Sequence, residues 1–195
     1  MSDNNDLLEY LREDGCFLEN SHFKLVSGKH SDSYIQVRIG MMNPITCKAF
    51  ATALARKLSD YRPTLLAAST IGGLLLADET AKMMDVPLLV GRQVATAVDW
   101  VNLKGLDQAC LSRVLLIDDI LTTGGSLHSA IHALEQTGAS IVGIAVAVDR
   151  SGGRENVVLA SGTQQKVISL VQLSMNAWDP ANCPICPKHY VNLQN

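Results

Sequence analysis

The sequence predicts a doubly wound α/β protein, and three observations carry that prediction. Apolar runs at residues 64–68, 88–90, 114–117 and 141–148 are too uniformly hydrophobic for a sheet with one wet face, so they read as parallel strands covered by helices on both sides. Between them lie stretches of helical spacing that begin after loops rich in hydroxyls and glycine. The 195 residues, 47% of them hydrophobic, suffice for one sizeable core with a small appendage.

Taken in order, Asp3 or Asp6 caps a short helix carrying Leu7, Leu8 and Leu11 on one face, with Gly15 placed to stop it. Residues 24–38 read as a hairpin, with a turn at Ser27-Gly28 and an extended Tyr34-Ile35-Gln36-Val37. Pro44 suits a first helical turn; Phe50, Leu54 and Leu58 follow at helical spacing until Arg62-Pro63 breaks the run. Strand 64–68, the loop Ser69-Thr70-Ile71-Gly72-Gly73, helix 74–84 and strand 88–90 make one βαβ unit. Strand 114–117, loop 118–125, helix 126–137 stopped by Gly138, and strand 141–148 make a second. The expected division is an N-terminal hood helix and hairpin over 1–43, an α/β core over 44–175, and a tail over 176–195 that contains a Cys-x2-Cys pair.

The charge balance of 16 basic against 19 acidic residues gives no global field to gather nucleic acid or an anionic membrane, so any anion must be held locally. No apolar run approaches a membrane span, and the polar, acidic first residues do not resemble a secretory leader. Five cysteines, an odd number and mostly far apart, are unlike a disulfide framework, so reduced thiols in a cytoplasmic protein are expected.

The chemistry concentrates at two strand ends. Asp118 and Asp119 stand where an apolar strand ends, the place where open α/β sheets bind ligands. Alternation points adjacent strand residues to opposite faces, so at most one of the two should turn inward unless the chain bends. Carboxylates accept well from the hydroxyls of a sugar diol. After Ile120 and Leu121 come Thr122, Thr123, Gly124, Gly125 and Ser126, giving three hydroxyls and two glycines at a helix start, where unpaired amides and the helix dipole favour a phosphate. The loop matches neither the Walker pattern nor the dinucleotide-binding glycine pattern.

The run from Val114 to Ser126, four apolar residues, two acids and then Thr-Thr-Gly-Gly-Ser, resembles the motif by which type I phosphoribosyltransferases bind phosphoribosyl pyrophosphate (PRPP). The resemblance implies that family's parallel-sheet core with a small hood. It implies Asp118 and Asp119 on the ribose hydroxyls, Thr122, Thr123, Gly124, Gly125 and Ser126 on the 5-phosphate, and Mg²⁺ accompanying PRPP. It is closest to the orotate phosphoribosyltransferases. On that likeness Ser69, Thr70, Gly72, Gly73 and Arg92 would meet pyrophosphate, while Lys29, Tyr34 and Arg150 would meet the base. A stacking ring and a bidentate guanidinium suit a flat base bearing a carboxylate. The family also implies a homodimer acting on PRPP and a nucleobase, with no nucleic-acid or membrane partner.

One departure stands out. In the orotate enzymes the arginine is followed by a mobile loop with several lysines; here residues 93–105 contain Lys104 as the only cation, with Asp99 adding the opposite sign. Lys104 is therefore the local candidate for the missing catalytic charge, with Trp100 as a hydrophobic latch on closure, and reduced turnover is expected. A phosphoribosyltransferase for another base, or a PRPP-binding regulatory protein without turnover, stays open. In the tail, Cys183, Cys186 and His189 offer three ligands where zinc wants four, so the segment reads as a Pro-rich tail first and a zinc site only second.

Overall fold

The computed structural model describes residues 4–25, 27–95, 97–101, 103–152, 156–159 and 161–186. Helix α1 (Asn4–Glu13) opens the chain, and Leu7 and Leu11 are buried in the same core as Phe50 and Leu54. The hood thus shares the core of the sheet and has none of its own. Four two-residue strands follow: β1 (Phe17–Leu18), β2 (Phe23–Lys24), β3 (His30–Ser31) and β4 (Tyr34–Ile35). They nest, with β2 pairing β3 inside and β1 pairing β4 outside. Gly28, at φ +80° in the turn, takes the left-handed backbone that glycine adopts without strain.

Helix α2 (Val37–Met42) stands where an extended segment is expected. Gly40 explains it: a β-carbon there would lie 2.6 Å from the Leu11 side chain, so close packing on α1 holds this short helix in place. Asn43 then caps α3 (Pro44–Leu58), accepting from the Ile45 N–H.

The remaining strands build one seven-stranded sheet. These are β5 (Leu65–Ala68), β6 (Leu88–Val94), β7 (Ala97–Trp100), β8 (Val114–Leu121), β9 (Ile141–Asp149), β10 (Asn156–Val158) and β11 (Gln164–Gln172). Their spatial order is β10-β11-β9-β8-β5-β6-β7. The five central strands run parallel, and the two edge pairings, β10 with β11 and β6 with β7, are antiparallel. Helix α4 (Ile71–Met84) links β5 to β6, and α5 (Gly125–Glu135) links β8 to β9. The core is split by the sheet into two apolar clusters, one under α1, α3 and α4 and the other under α5.

Among the five parallel strands the winding direction reverses between β5 and β8. A crevice opens at such a switch point, at the carboxyl ends of the strands. Pairing between these neighbours ends at Ala67 and Leu116, whereas β8 continues along β9 to Leu121. The overhang carries Asp118 and Asp119.

Candidate active site

Two helix starts converge on this overhang. Thr70 caps α4, its hydroxyl accepting from the Gly73 N–H at 3.1 Å and donating to Asp118 Oδ1 at 2.5 Å. Asp119 Oδ1 lies 3.4 Å from the same oxygen. From the other side, the Ser126 hydroxyl in the first turn of α5 donates to Asp118 Oδ2 at 3.0 Å. Asp118 accepts from both helix starts, through Thr70 and Ser126, while Asp119 lies against Gly72 of α4. Both belong to one site, because the crevice straddles the sheet edge and Thr70 sits between them.

The glycines are set by contact. A β-carbon on Gly72 would lie 2.3 Å from Asp119 Oδ2, and one on Gly73 would lie 2.7 Å from the Thr70 hydroxyl and 3.0 Å from the Asp118 Cα. Only a bare backbone brings α4 this near the carboxylates. Gly125 differs, since its β-carbon would meet nothing nearer than Thr123 at 4.0 Å. Gly124, at φ +84°, turns the chain into α5. The first amides of α5 have no partners within the helix and open onto the exposed Thr122-Thr123 turn.

Asp118 and Asp119 are 4% and 7% exposed. Burial, reinforced by the neighbouring Asp118 charge, pushes the Asp119 carboxyl up to about 7. A site that strains to hold its own negative charge is prepared for hydroxyl donors or a cation.

Ser69, buried at the end of β5, accepts from Gln93 Nε2 at 3.1 Å, a link with no signal in the sequence. Arg92 stands on β6 directly opposite Asp99 on β7 and donates to it at 2.8 Å. Both ends are largely exposed. The segment expected to be a mobile loop is thus an antiparallel hairpin in its described part, and Trp100, placed opposite Gly91, is buried in the core. Lys104 is not brought to this group: it stands exposed on the turn Leu103–Gly105, beyond Val101, whose N–H already donates back to Val90.

Arg150 leaves β9 next to the overhang, its N–H donating to the Leu121 carbonyl at 2.8 Å. Burial lowers the Arg150 guanidinium pKa, and the charge of nearby Tyr34 opposes that shift. Tyr34 stacks on Phe23 with ring centroids 5.8 Å apart. Lys29 instead points to the tail, 3.9 Å from Asp179.

This switch-point crevice holds two acids between two helix starts, and the phosphoribosyl transferase domain family matches residues 43–162 around it. Over 183 residues the chain is 30% identical to an orotate phosphoribosyltransferase of Chlorobium phaeobacteroides (strain BS1), covering 94% of this chain and 90% of the relative. It is 33% identical to one from Thermus thermophilus, covering 93% of this chain and 94% of that relative. The crystal structure of orotate phosphoribosyltransferase from Aeropyrum pernix superposes with a TM-score of 0.66 at 25% identity, covering 85% of this chain and 93% of that one. The UMP synthase of Leishmania donovani superposes with 0.68 at 27%, covering 86% of this chain and 36% of that larger one. The chain belongs to the orotate phosphoribosyltransferase family, within the phosphoribosyl transferases, and has their type I fold.

Proposed function

We propose that this enzyme transfers ribose 5-phosphate from PRPP to orotate, releasing pyrophosphate and forming orotidine 5'-monophosphate. The observation that carries the reading is the convergence of α4 and α5 on one buried acid pair. A ligand with a phosphate at each end and a diol between them fits two helix N-termini flanking two carboxylates. On this reading Thr122, Thr123, Gly124, Gly125 and Ser126 take the 5-phosphate, Asp118 and Asp119 take the ribose hydroxyls, and Ser69, Thr70, Gly72, Gly73 and Arg92 face pyrophosphate. Tyr34 and Arg150 receive the base, with Arg150 matched to the orotate carboxylate, and Lys29 joins them on release from Asp179.

The bond from ribose C1 to a pyrophosphate oxygen breaks, positive character spreads over C1 and the ring oxygen, and the base nitrogen closes the new bond. Most of the rate then comes from orientation and from neutralising the leaving group. Asp118 is fixed for this by three donors, Thr70, Ser126 and its own chain's Asp119 N–H. Mg²⁺ fits the hard oxygens of Asp118, Asp119 and Thr70 as a cation that keeps most of its waters, and when bound it supplies charge to the leaving group. Arg92, tied to Asp99, and Lys104, set beyond the hairpin on the Leu103–Gly105 turn, leave the hairpin poor in free cation, so turnover is slow.

Exposed Ile39 and Met42 on α2, Ile45 on α3, and Ile71 and Leu75 on α4 give one side of the molecule an apolar surface beside the site. It supports a homodimer, which sedimentation at micromolar concentration checks. The same reading places the enzyme in the cytoplasm with its thiols reduced. Pyrophosphate release with orotate but not with uracil or a purine tests the function. Release with another base instead would reassign the substrate, and PRPP binding without release for any base would make the protein a regulator.

A further inference from the structure

The tail is laced to the hood. His30 and Trp178 exchange two backbone hydrogen bonds of 2.8 Å, the Ser31 hydroxyl donates to the Asn176 carbonyl at 2.6 Å, and Asn176 Nδ2 donates to Asp32 at 2.9 Å. At the end of this seam four side chains meet. His22, just before β2, and His30, at the start of β3, are buried; Cys183 and Cys186 on the tail are half-buried and in no disulfide. One ligand atom from each lies within 4.8 Å of all the others.

The individual separations are informative. His22 Nε2 is 3.2 Å from His30 Nδ1, Cys183 Sγ is 3.6 Å from His22 Nε2, and Cys186 Sγ is 3.4 Å from His30 Nδ1. A tetrahedral zinc ion with ordinary Zn–N and Zn–S bonds has ligand edges of about 3.3 Å between nitrogens and about 3.6 Å between nitrogen and sulfur. The three distances match those edges. Thiols are weak hydrogen-bond donors, so two of them converging on two imidazoles make a poor hydrogen-bonded cluster and a good set for a borderline-soft metal. Cys16 and Cys47 do not compete, since burial pushes their thiols up to about 11.

We propose that His22, His30, Cys183 and Cys186 form a structural Zn²⁺ site that clasps the tail onto the hood hairpin. With four protein ligands the site is closed, which marks it as structural rather than catalytic. The ligand pairs come from opposite ends of the chain, Cys183 lying 161 residues after His22. The sequence pattern Cys183, Cys186 and His189 supplied three ligands close together; His189 lies outside the described residues, and the histidines that complete the cluster come from the hood. None of the four belongs to the residues assigned to PRPP or base, so the inference stands or falls apart from the transferase reading.

Elemental analysis of the full chain, purified under reducing conditions and dialysed after equilibration with Zn²⁺, tests it. About one zinc per chain is expected, retained in His189→Ala and lost in Cys186→Ser and His22→Ala. Stripping with a strong chelator should lower Tm by about 5–10 °C, restored by Zn²⁺. Should the ligand variants fail to fold, Co²⁺ titration of the stripped wild type reads the same site, through the intense visible bands of a tetrahedral thiolate complex. Folded wild type holding less than a tenth of an equivalent of zinc and giving no such bands would overturn the site, as would zinc lost in His189→Ala but kept in His22→Ala.

Discussion

The crevice at the sheet edge and the hood over it are held by different forces. The crevice sits on strands whose side chains are almost wholly buried, and Gly72 and Gly73 lie against the acids, so that side of its geometry follows from packing that cannot give. The hood strands are two residues long and too short to persist alone; Phe17 and Ile35 anchor them in the shared core, and polar clips to the tail complete the attachment. The half that would hold the sugar phosphate is set by burial, and the half that would hold the base by burial together with fastening.

The sharpest way to break that contrast lies in two glycines of the crevice. Gly72→Val forces a side chain onto Asp119 and should cost about 3 kcal/mol or more, lowering Tm by about 5–10 °C and abolishing PRPP binding. Gly125→Val meets no such obstacle and should melt like wild type, yet lose PRPP affinity by about tenfold or more because the phosphate can no longer approach the helix start. Equal effects in thermal melts would show that Gly72 is not under packing constraint.

Next in size is removal of the clasp. Chelation should raise KM for orotate about fivefold or more while changing PRPP affinity by less than about twofold, as loosening a remote support degrades positioning. Isothermal titration of PRPP beside steady-state kinetics separates the two, and parallel losses would mean that hood and crevice are one unit.

A smaller effect concerns the charge within the crevice. Asp119 has a folded pKa raised from 3.8 to about 7, so between these values the native state binds a proton that the unfolded state has released. Stability should therefore fall as pH rises through that window. Asp119→Asn should be more stable than wild type at pH 8 and lose that advantage toward pH 4, by urea denaturation at each pH. The gain in PRPP·Mg²⁺ affinity of wild type between pH 6 and 8 should also shrink in the variant, the ligand's own titration being common to both.

Smallest of all are the hairpin charges. Lys104→Ala should change kcat by less than about twofold, whereas Asp99→Asn, which frees Arg92, should raise it about two- to threefold, in keeping with the modest strength of exposed pairs. A large loss in Lys104→Ala would place that lysine in a neighbouring subunit's site.

The crevice was the more legible half. Its strands announce themselves as apolar runs, and its acids, hydroxyls and glycines fall in two short segments, 69–73 and 118–126, each at a strand end, so local pattern is enough. What pattern missed was decided by contacts between distant segments. Val37 and Arg38 read as the end of an extended hairpin arm but begin a helix, in which Gly40 packs against Leu11. The β6–β7 turn was hidden because Ala95, at φ +53°, occupies a position where glycine or asparagine would have given a signal. Trp100 was read as a latch because nothing local shows that it packs in the core. His22 and His30 carry no sequence signature of metal binding, since their thiol partners lie about 150 residues away.

That separation has a consequence in time. Cys186 leaves the ribosome 156 residues after His30, which at about 5–20 residues per second is a wait of about 8–30 s. By then the strands carrying both phosphate loops have been synthesised. During translation the hood hairpin is an unfastened flap with its two imidazoles not yet met by the tail thiols. On the proposed reading, the hood that bears Tyr34 is thus fastened only after the segments that would hold the sugar phosphate have been made.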